Sequence, residues 1–231
     1  RVRDALALFH ECRIDLVIPL ELIAGVLSDL DRVRMDNEAH LLRYCYRVAG
    51  TVGLMMSAAL DVKNPTALFH AIDLGIAMQL TNIARDVRED ATMDRRYVPA
   101  DSIGAVEPVL LVDPTEEVKG KLARSVEHLL LLADMYYRSG NAGLPFLPFG
   151  ARTAIFIAGR VYREIGLKIA RNRFDVWSQR TMVPLRTKAI VSILILLSLP
   201  FRPAFWQYRS VHDARLHAHL TDLPFTHSGA A

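Results

Sequence analysis

GIAMQLTNIARDVRED, residues 75–90, is the stretch of this 231-residue sequence that decides the fold. Apolar residues recur in it at steps of three and four, which predicts an amphipathic α-helix. At about 100° of rotation per residue, four polar side chains share an arc of about 80° beside an apolar flank. These four are Gln79, Asn82, Asp86 and Asp90. A face that only meets solvent is usually rich in lysine and glutamate, whereas this strip carries amides and carboxylates, so it predicts a ligand site.

The two aspartates of this strip, Asp86 and Asp90, are four residues apart, which places their Cβ atoms about 6 Å from each other on a helix. Like charges at this spacing repel. A hard divalent cation such as Mg²⁺ would relieve the repulsion, because it prefers oxygen ligands and bridges carboxylates to phosphates. The alternative is an ordinary exposed carboxylate pair offset by neighbouring arginines, Arg85 and Arg88.

A second unusual stretch, YCYRVAGTVGLMM at residues 44–56, precedes this helix. It has helical periodicity, yet it contains two glycines, each costing about 1 kcal/mol relative to alanine in a helix. Small residues allow close approach, either of another helix or of a ligand. Tight helix packing is one interpretation, and the lining of a long apolar tunnel is the other. The candidates for substrate contact in this stretch are Val48, Gly50, Gly53 and Leu54.

Helical periodicity dominates the rest of the chain, and few stretches alternate as strands do. Prolines and glycines separate the periodic segments, and Asn64-Pro65 is a typical helix start. The predicted helical segments are residues 2–10, 19–30, 38–60, 65–94, 115–139, 151–179 and 185–198. The sequence therefore predicts an all-α protein of roughly six to eight helices.

Composition excludes several classes of protein. Hydrophobic residues make up 52% and charged residues 23%, which excludes a disordered chain. A net charge of +3 without a run of like charges gives no support to nucleic-acid binding. Two cysteines cannot form a disulfide scaffold or a four-cysteine zinc site, and they favour a reducing compartment. The apolar run at 189–200 is shorter than the ~20 residues of a membrane span, so it predicts a core helix or a membrane-surface contact.

Four motifs together resemble the squalene/phytoene synthase family. They are YCY at 44–46, VAGTVG at 48–53, QLTNIARDVRED at 79–90 and RYVP at 96–99. The segments VAGTVGLMM at 48–56 and QLTNIARDVREDA at 79–91 are most similar to those of bacterial phytoene synthases. The resemblance is strong over residues 40–104 and looser over 150–190, and it does not extend past about residue 201.

The resemblance implies an all-α isoprenoid (terpenoid) synthase fold, a helical bundle around a central cavity. It implies a prenyltransferase that joins two geranylgeranyl diphosphates head to head into phytoene, through prephytoene diphosphate, in carotenoid biosynthesis. Mg²⁺ is the implied cofactor, with Mn²⁺ as a substitute, and no NADPH is expected because the reaction ends by proton loss. Two alternatives remain: a squalene, presqualene or dehydrosqualene type of synthase using farnesyl diphosphate, and a non-catalytic assembly subunit.

Residue by residue, the resemblance implies that Asp86 and Asp90 bind Mg²⁺ and that Tyr44 lies beside the reacting carbons. The diphosphate site would be lined by Gln79, Asn82, Arg85 and Tyr97, with Tyr162 and Arg180 joining it from later in the chain.

One departure concerns the family's first aspartate-rich motif. Residues 1–43 contain no D-x-x-x-D: Asp29, Asp31 and Asp36 have the wrong spacing. The family's usual spacing puts this motif before Arg1, so residues 1–200 are expected to be a synthase domain lacking its N-terminal helices. Residues 201–231 are expected to be a loosely packed extension, in which metal binding by four histidines is the weaker interpretation. A polypeptide of residues 1–231 alone is expected to be inactive.

The implied partners are a prenyl diphosphate and, within the pathway, downstream carotenoid enzymes. The expected location is the cytoplasm, and the basic residues at 152–188 are compatible with peripheral association at the inner membrane or with a solvated helix face.

Overall fold

The computed structural model of the chain describes residues 2–208 and 211–227. This part of the chain is all-α: its one β feature is an isolated bridge between Arg34 and Arg96. The helices are α1 (Val2–Glu11), α2 (Val17–Ser28), α3 (Glu38–Cys45), α4 (Thr51–Ala59), α5 (Thr66–Thr92), α6 (Ala100–Ile103), α7 (Val109–Val112), α8 (Glu116–Ala142), α9 (Phe149–Arg171), α10 (Leu185–Ser198) and α11 (Pro203–Trp206). The predicted fold class is confirmed.

Helix α5 forms the centre of the bundle and carries residues 75–90. Its start follows the sequence signal, since the Asn64 side chain accepts a hydrogen bond from the Thr66 amide at 2.9 Å. Helices α4, α8 and α9 pack against it. Within the described residues, α5 is the one helix long and apolar enough to cross a membrane, but 56% of its most apolar window is buried inside the fold. That burial is typical of the core helix of a globular domain.

Two glycines let α5 pack at close range against α4 and against the turn that precedes α4. A Cβ atom on Gly53 would lie 2.2 Å from the carbonyl oxygen of Ala71, and one on Gly75 would lie 2.3 Å from that of Ala49. No side chain fits at these separations. Tight helix packing, one of the two interpretations of the glycines, therefore holds for Gly53.

The predicted segment at 38–60 is continuous but not uniform. A π-helical turn, Tyr46–Gly50, joins α3 to α4. Such a turn inserts an extra residue into the helical ladder and shifts every later side chain around the axis, and π turns are frequent at functional sites. The periodicity of the sequence did not reveal it.

The predicted segment at 151–179 is too long, because α9 ends at Arg171. Arg173 and Phe174 adopt positive φ angles of 55° and 60°, which a helix does not accommodate. Residues 172–184 form a loop that runs towards α5, where Arg88 donates a hydrogen bond to the carbonyl of Ser178 at 2.9 Å.

Residues 211–227 pack more closely than the sequence predicts. Leu216, Leu220 and Leu223 are buried in the same hydrophobic cluster as α3, α5 and α8. Tyr136 of α8 donates a hydrogen bond to the Leu216 carbonyl at 2.6 Å, and Tyr46 donates one to the carbonyl of Pro224, also at 2.6 Å. The expectation of a loosely packed extension does not describe these residues, because their partners are distant in sequence and leave no local pattern.

Candidate active site

The polar strip of α5 begins with its two amides. Asn82 Nδ2 lies 3.4 Å from Gln79 Oε1, and both side chains border an apolar cavity. The buried Oδ1 atom of Asn82 has no hydrogen-bond partner among the described residues. A buried acceptor without a partner is costly, so this oxygen is available to a ligand.

Asp86 is held by two arginines. The Nε atoms of Arg85 and Arg180 donate to its Oδ1 at 2.7 and 2.8 Å. Burial opposes ionisation of this carboxyl, but the hydrogen bonds from the two guanidinium groups prevail and lower its pKa. The structure thus brings Arg180 from the loop after α9 to Asp86 of the strip. Arg88, the other arginine considered as a counter-charge, turns instead to the Ser178 carbonyl.

Asp90 has a different environment, although it lies one turn further along the same helix. Burial and the negative charge of Asp86 raise the pKa of Asp90 to about 7, and Arg95 opposes the shift. The neighbouring Glu89 has a buried Oε2 atom that lacks a partner within the described part of the chain. Of the two aspartates, Asp86 is therefore neutralised by arginines, whereas Asp90 is not.

These oxygen donors fit a hard divalent cation. The set contains two carboxylates at i and i+4, a third carboxylate oxygen on Glu89 and the amide oxygen of Asn82, of which the last two are unpartnered. Mg²⁺ takes oxygen ligands of this kind, and softer metals would require nitrogen or sulfur.

Two tyrosines meet an aspartate that the sequence did not single out. Tyr97 Oη donates to Asp29 Oδ1 at 2.7 Å, and Tyr44 Oη donates to Asp29 Oδ2 at 3.0 Å. The two rings lie 5.0 Å apart between centroids. Burial raises the pKa of both tyrosines, so the hydroxyls stay protonated and committed to Asp29. Asp29 caps the C-terminal end of α2, and a search for D-x-x-x-D spacing passes over it.

The apolar cavity measures about 330 Å³ and lies among α4, α5, α8 and α9. Of the predicted contact residues, five border it: Val48, Gly53, Gln79, Asn82 and Tyr162. Gly50 packs instead against Tyr46 and Ile72, and Leu54 is 1% exposed in the hydrophobic core. The structure therefore places Gly50 and Leu54 in the packing of the bundle.

An all-α bundle with an apolar cavity along its central helix and a carboxylate strip on that helix is typical of the isoprenoid synthase class of folds. Solved structures agree. A dehydrosqualene synthase in complex with ligand superposes with a TM-score of 0.67 at 26% identity, over 80% of this chain and 65% of that chain. The TcSQS complex with the ligand BPH1237 gives 0.65 at 18% identity, over 87% of this chain and 63% of that chain, which supports the fold alone.

The family follows from sequence. The squalene/phytoene synthase family model matches residues 1–187, and the chain belongs to this family. The 15-cis-phytoene synthase of Enterobacter agglomerans is 42% identical over 160 residues, covering 68% of this chain and 54% of that protein. The phytoene synthase of Pseudescherichia vulneris is 41% identical over 161 residues, covering 70% and 52%. The chain spans about half the length of these curated relatives.

Proposed function

We propose that this chain is the part of a phytoene synthase that carries the second aspartate-rich motif, and that the whole protein condenses two geranylgeranyl diphosphates into phytoene through prephytoene diphosphate. The observation that carries the proposal is the strip of α5: a carboxylate pair, Asp86 and Asp90, continues into two amides that border an apolar cavity. Relatives named phytoene synthase, about 40% identical, support this product class.

The metal of this reaction would be held by Asp86 and Asp90, with the unpartnered oxygens of Asn82 and Glu89 beside them. Mg²⁺ bound there, or Mn²⁺ in its place, would offset the charge of the departing diphosphate and so promote ionisation of the allylic substrate. Arg85 and Arg180, whose guanidinium groups meet on Asp86, are positioned to donate hydrogen bonds to diphosphate oxygens.

The prenyl chain would occupy the apolar cavity, whose walls exclude water from the cation formed on ionisation. Tyr44 would steady that cation with its ring face, because its hydroxyl is already committed to Asp29. Tyr97 shares this aspartate and fixes the orientation of Tyr44. Loss of a proton then completes the reaction, so the proposal requires no NADPH.

A synthase of the squalene or dehydrosqualene type, acting on farnesyl diphosphate, is the second candidate. The specific observation in its favour is the superposition on a dehydrosqualene synthase. A non-catalytic assembly subunit is the third, and the intact pair Asp86 and Asp90 argues against it. For the whole protein we place the reaction in the cytoplasm. Its apolar product would favour peripheral association with the inner membrane and contact with downstream carotenoid enzymes.

Product identification tests the proposal. The gene product that carries this chain is incubated with Mg²⁺ and either geranylgeranyl or farnesyl diphosphate, with and without NADPH, and the extracted lipids are identified by mass spectrometry. We expect phytoene from geranylgeranyl diphosphate, independent of NADPH. A C30 product formed faster from farnesyl diphosphate would replace the first candidate by the second, and no product from either substrate would favour the assembly subunit.

A further inference from the structure

A second cluster of metal-ligating side chains lies outside the candidate active site. Asp73, fully buried on α5, meets two histidines from the C-terminal segment. His212 Nε2 lies 2.9 Å from Asp73 Oδ2, and His217 Nε2 lies 2.8 Å from Asp73 Oδ1. The three potential ligand atoms lie within 4.8 Å of one another. Asp73 and Asp86 are thirteen residues apart on one helix, so this cluster lies about 20 Å from the carboxylate pair.

The groups around the cluster are those that surround a bound metal. The Nδ1 atom of His217 lies 2.8 Å from the carbonyl oxygen of Thr226, which fixes this nitrogen as a donor and points Nε2 at Asp73. Ser139 Oγ donates to Asp73 Oδ2 at 2.5 Å. Metal-ligating histidines commonly donate their second ring nitrogen to a backbone carbonyl, and ligating carboxylates are hydrogen-bonded in turn.

A third histidine supplies an independent observation. His70 is 2% exposed, and its ring centroid lies 5.4 Å from that of His212. Its Nδ1 atom contacts Ser139 Oγ at 3.1 Å, but its buried Nε2 atom has no partner among residues 2–208 and 211–227. A buried histidine nitrogen without a partner therefore lies on a ring that neighbours the cluster.

Both ring nitrogens of His217 face acceptors, the Asp73 carboxylate and the Thr226 carbonyl. A divalent cation bound at Nε2 would leave the contact of Nδ1 with Thr226 in place and would be met directly by the Asp73 carboxylate.

We propose that Asp73, His212 and His217 form a Zn²⁺ site that fastens the C-terminal segment to α5, with the fourth coordination position left to water. Two imidazole nitrogens and one carboxylate are a ligand set that Zn²⁺ takes, whereas Mg²⁺ takes oxygen ligands. Binding requires a small expansion, because Zn–N bonds of about 2.1 Å separate tetrahedral ligands by ~3.4 Å. The site goes beyond the proposed function and does not depend on it.

Metal titration of residues 1–231 tests the proposal. The chain is stripped with a chelator and titrated with Zn²⁺ in competition with a chromophoric chelator, and Co²⁺ is added separately as a spectroscopic probe. We expect one equivalent of tight binding, visible absorption bands of four-coordinate Co²⁺, and a higher melting temperature with Zn²⁺. His212→Ala and His217→Ala should each weaken Zn²⁺ binding about 100-fold or more.

The matched control is His219→Ala, which removes an exposed histidine from the same segment and should leave Zn²⁺ binding unchanged. His217→Gln serves if His217→Ala does not fold, since glutamine keeps a hydrogen-bonding side chain but is a poor zinc ligand. The proposal is overturned if the stripped chain binds less than one equivalent, or if the His212→Ala and His217→Gln variants bind Zn²⁺ as tightly as the wild type and His219→Ala do.

Discussion

Asp86 and Asp90 lie one turn apart on the same face of one helix, yet their surroundings shift the pKa values of their carboxyl groups in opposite directions. Arginines hold Asp86 ionised, and burial with a like charge nearby raises the pKa of Asp90 to about 7. Removing either carboxylate removes a ligand and relieves repulsion without opening a cavity. We therefore expect Asp86→Asn and Asp90→Asn each to lower kcat by about 100-fold or more. Asp90→Asn should leave the melting temperature unchanged or raise it, and Asp86→Asn should lower it modestly, because Asp86 loses its charged hydrogen bonds with Arg85 and Arg180.

The measurement is turnover of geranylgeranyl diphosphate by the gene product that carries this chain, alongside a thermal melt. Asp101→Asn, at an exposed position on α6, is the matched control and should retain the wild-type rate. Rates within a factor of three for both strip variants would show that Asp86 and Asp90 hold no metal that the reaction needs.

Tyr44 allows the ring and the hydroxyl to be tested separately. Its hydroxyl donates to Asp29, and its ring lies against Tyr97. If the ring face steadies a cation, Tyr44→Phe should lower the rate less than about 10-fold, while Tyr44→Ala should lower it well beyond 100-fold, because only alanine removes the ring. Steady-state kinetics of the two variants decide between the roles: equal losses would assign the work to the hydroxyl, and wild-type rates for both would remove Tyr44 from the site.

At this scale the sequence predicts the members of the strip but not their neighbours. Gln79, Asn82 and Asp86 are found because they share one helix, whose rotation per residue is known. Asp29 is missed because its partners Tyr44 and Tyr97 come from other parts of the chain. Arg180 is reached through resemblance alone, since the loop that carries it follows a turn that periodicity did not predict.

At the scale of the element, the crossing of α4 and α5 depends on glycine. A Cβ on Gly53 would lie 2.2 Å from a backbone oxygen, which cannot move as a side chain can. We expect Gly53→Ala to lower the free energy of unfolding by about 1–3 kcal/mol or more, although alanine is the better helix former. Urea denaturation measures the change.

Gly120 on α8 is the matched control, because a Cβ there would meet nothing closer than 3.8 Å. Gly120→Ala should raise the free energy of unfolding by up to about 1 kcal/mol through helix propensity. Stability gains of similar size at both glycines would show that α4 and α5 do not need to approach so closely.

Most helices were predictable at this scale, and the exceptions share a cause. The segment 185–198 and the start of α5 follow from periodicity and from Asn64-Pro65. The π turn at Tyr46–Gly50 and the end of α9 at Arg171 did not follow, because each is set by what packs on it. Hydrophobic periodicity in a sequence assumes a regular α-helix. A π turn has no characteristic pattern of polar and apolar residues, so periodicity cannot predict it.

For the whole molecule, the C-terminal segment is part of the core. Leu220 is fully buried in the main hydrophobic cluster, whereas Val211, nine residues earlier, is 90% exposed. We expect Leu220→Ala to lower the free energy of unfolding by about 2–5 kcal/mol and Val211→Ala to change it by less than ~0.5 kcal/mol. Chemical denaturation of both variants tests this, and equal stabilities would mean that the segment folds back only loosely.

Helices α2 and α10 each present exposed apolar side chains within the described part of the chain. Leu20, Ile23 and Leu27 of α2 are each more than half exposed, and so are Ile193 and Leu197 of α10. Contiguous apolar surface of this kind usually marks a contact with another protein surface or a membrane. We therefore expect purified residues 1–231 to self-associate.

Light scattering across a range of concentrations measures this association as a mass above that of one chain. A double variant, Ile193→Lys with Leu197→Lys, should lower the mass, because it places two charges on the face of α10 that would otherwise pack against another copy. Val109→Lys, at an exposed position on α7, adds a charge on a helix that belongs to neither face and should leave the association unchanged. A single-chain mass at every concentration would show that neither face drives contact in solution. If both lysine variants reduced the mass equally, net charge would be the cause and the face of α10 would have no special part.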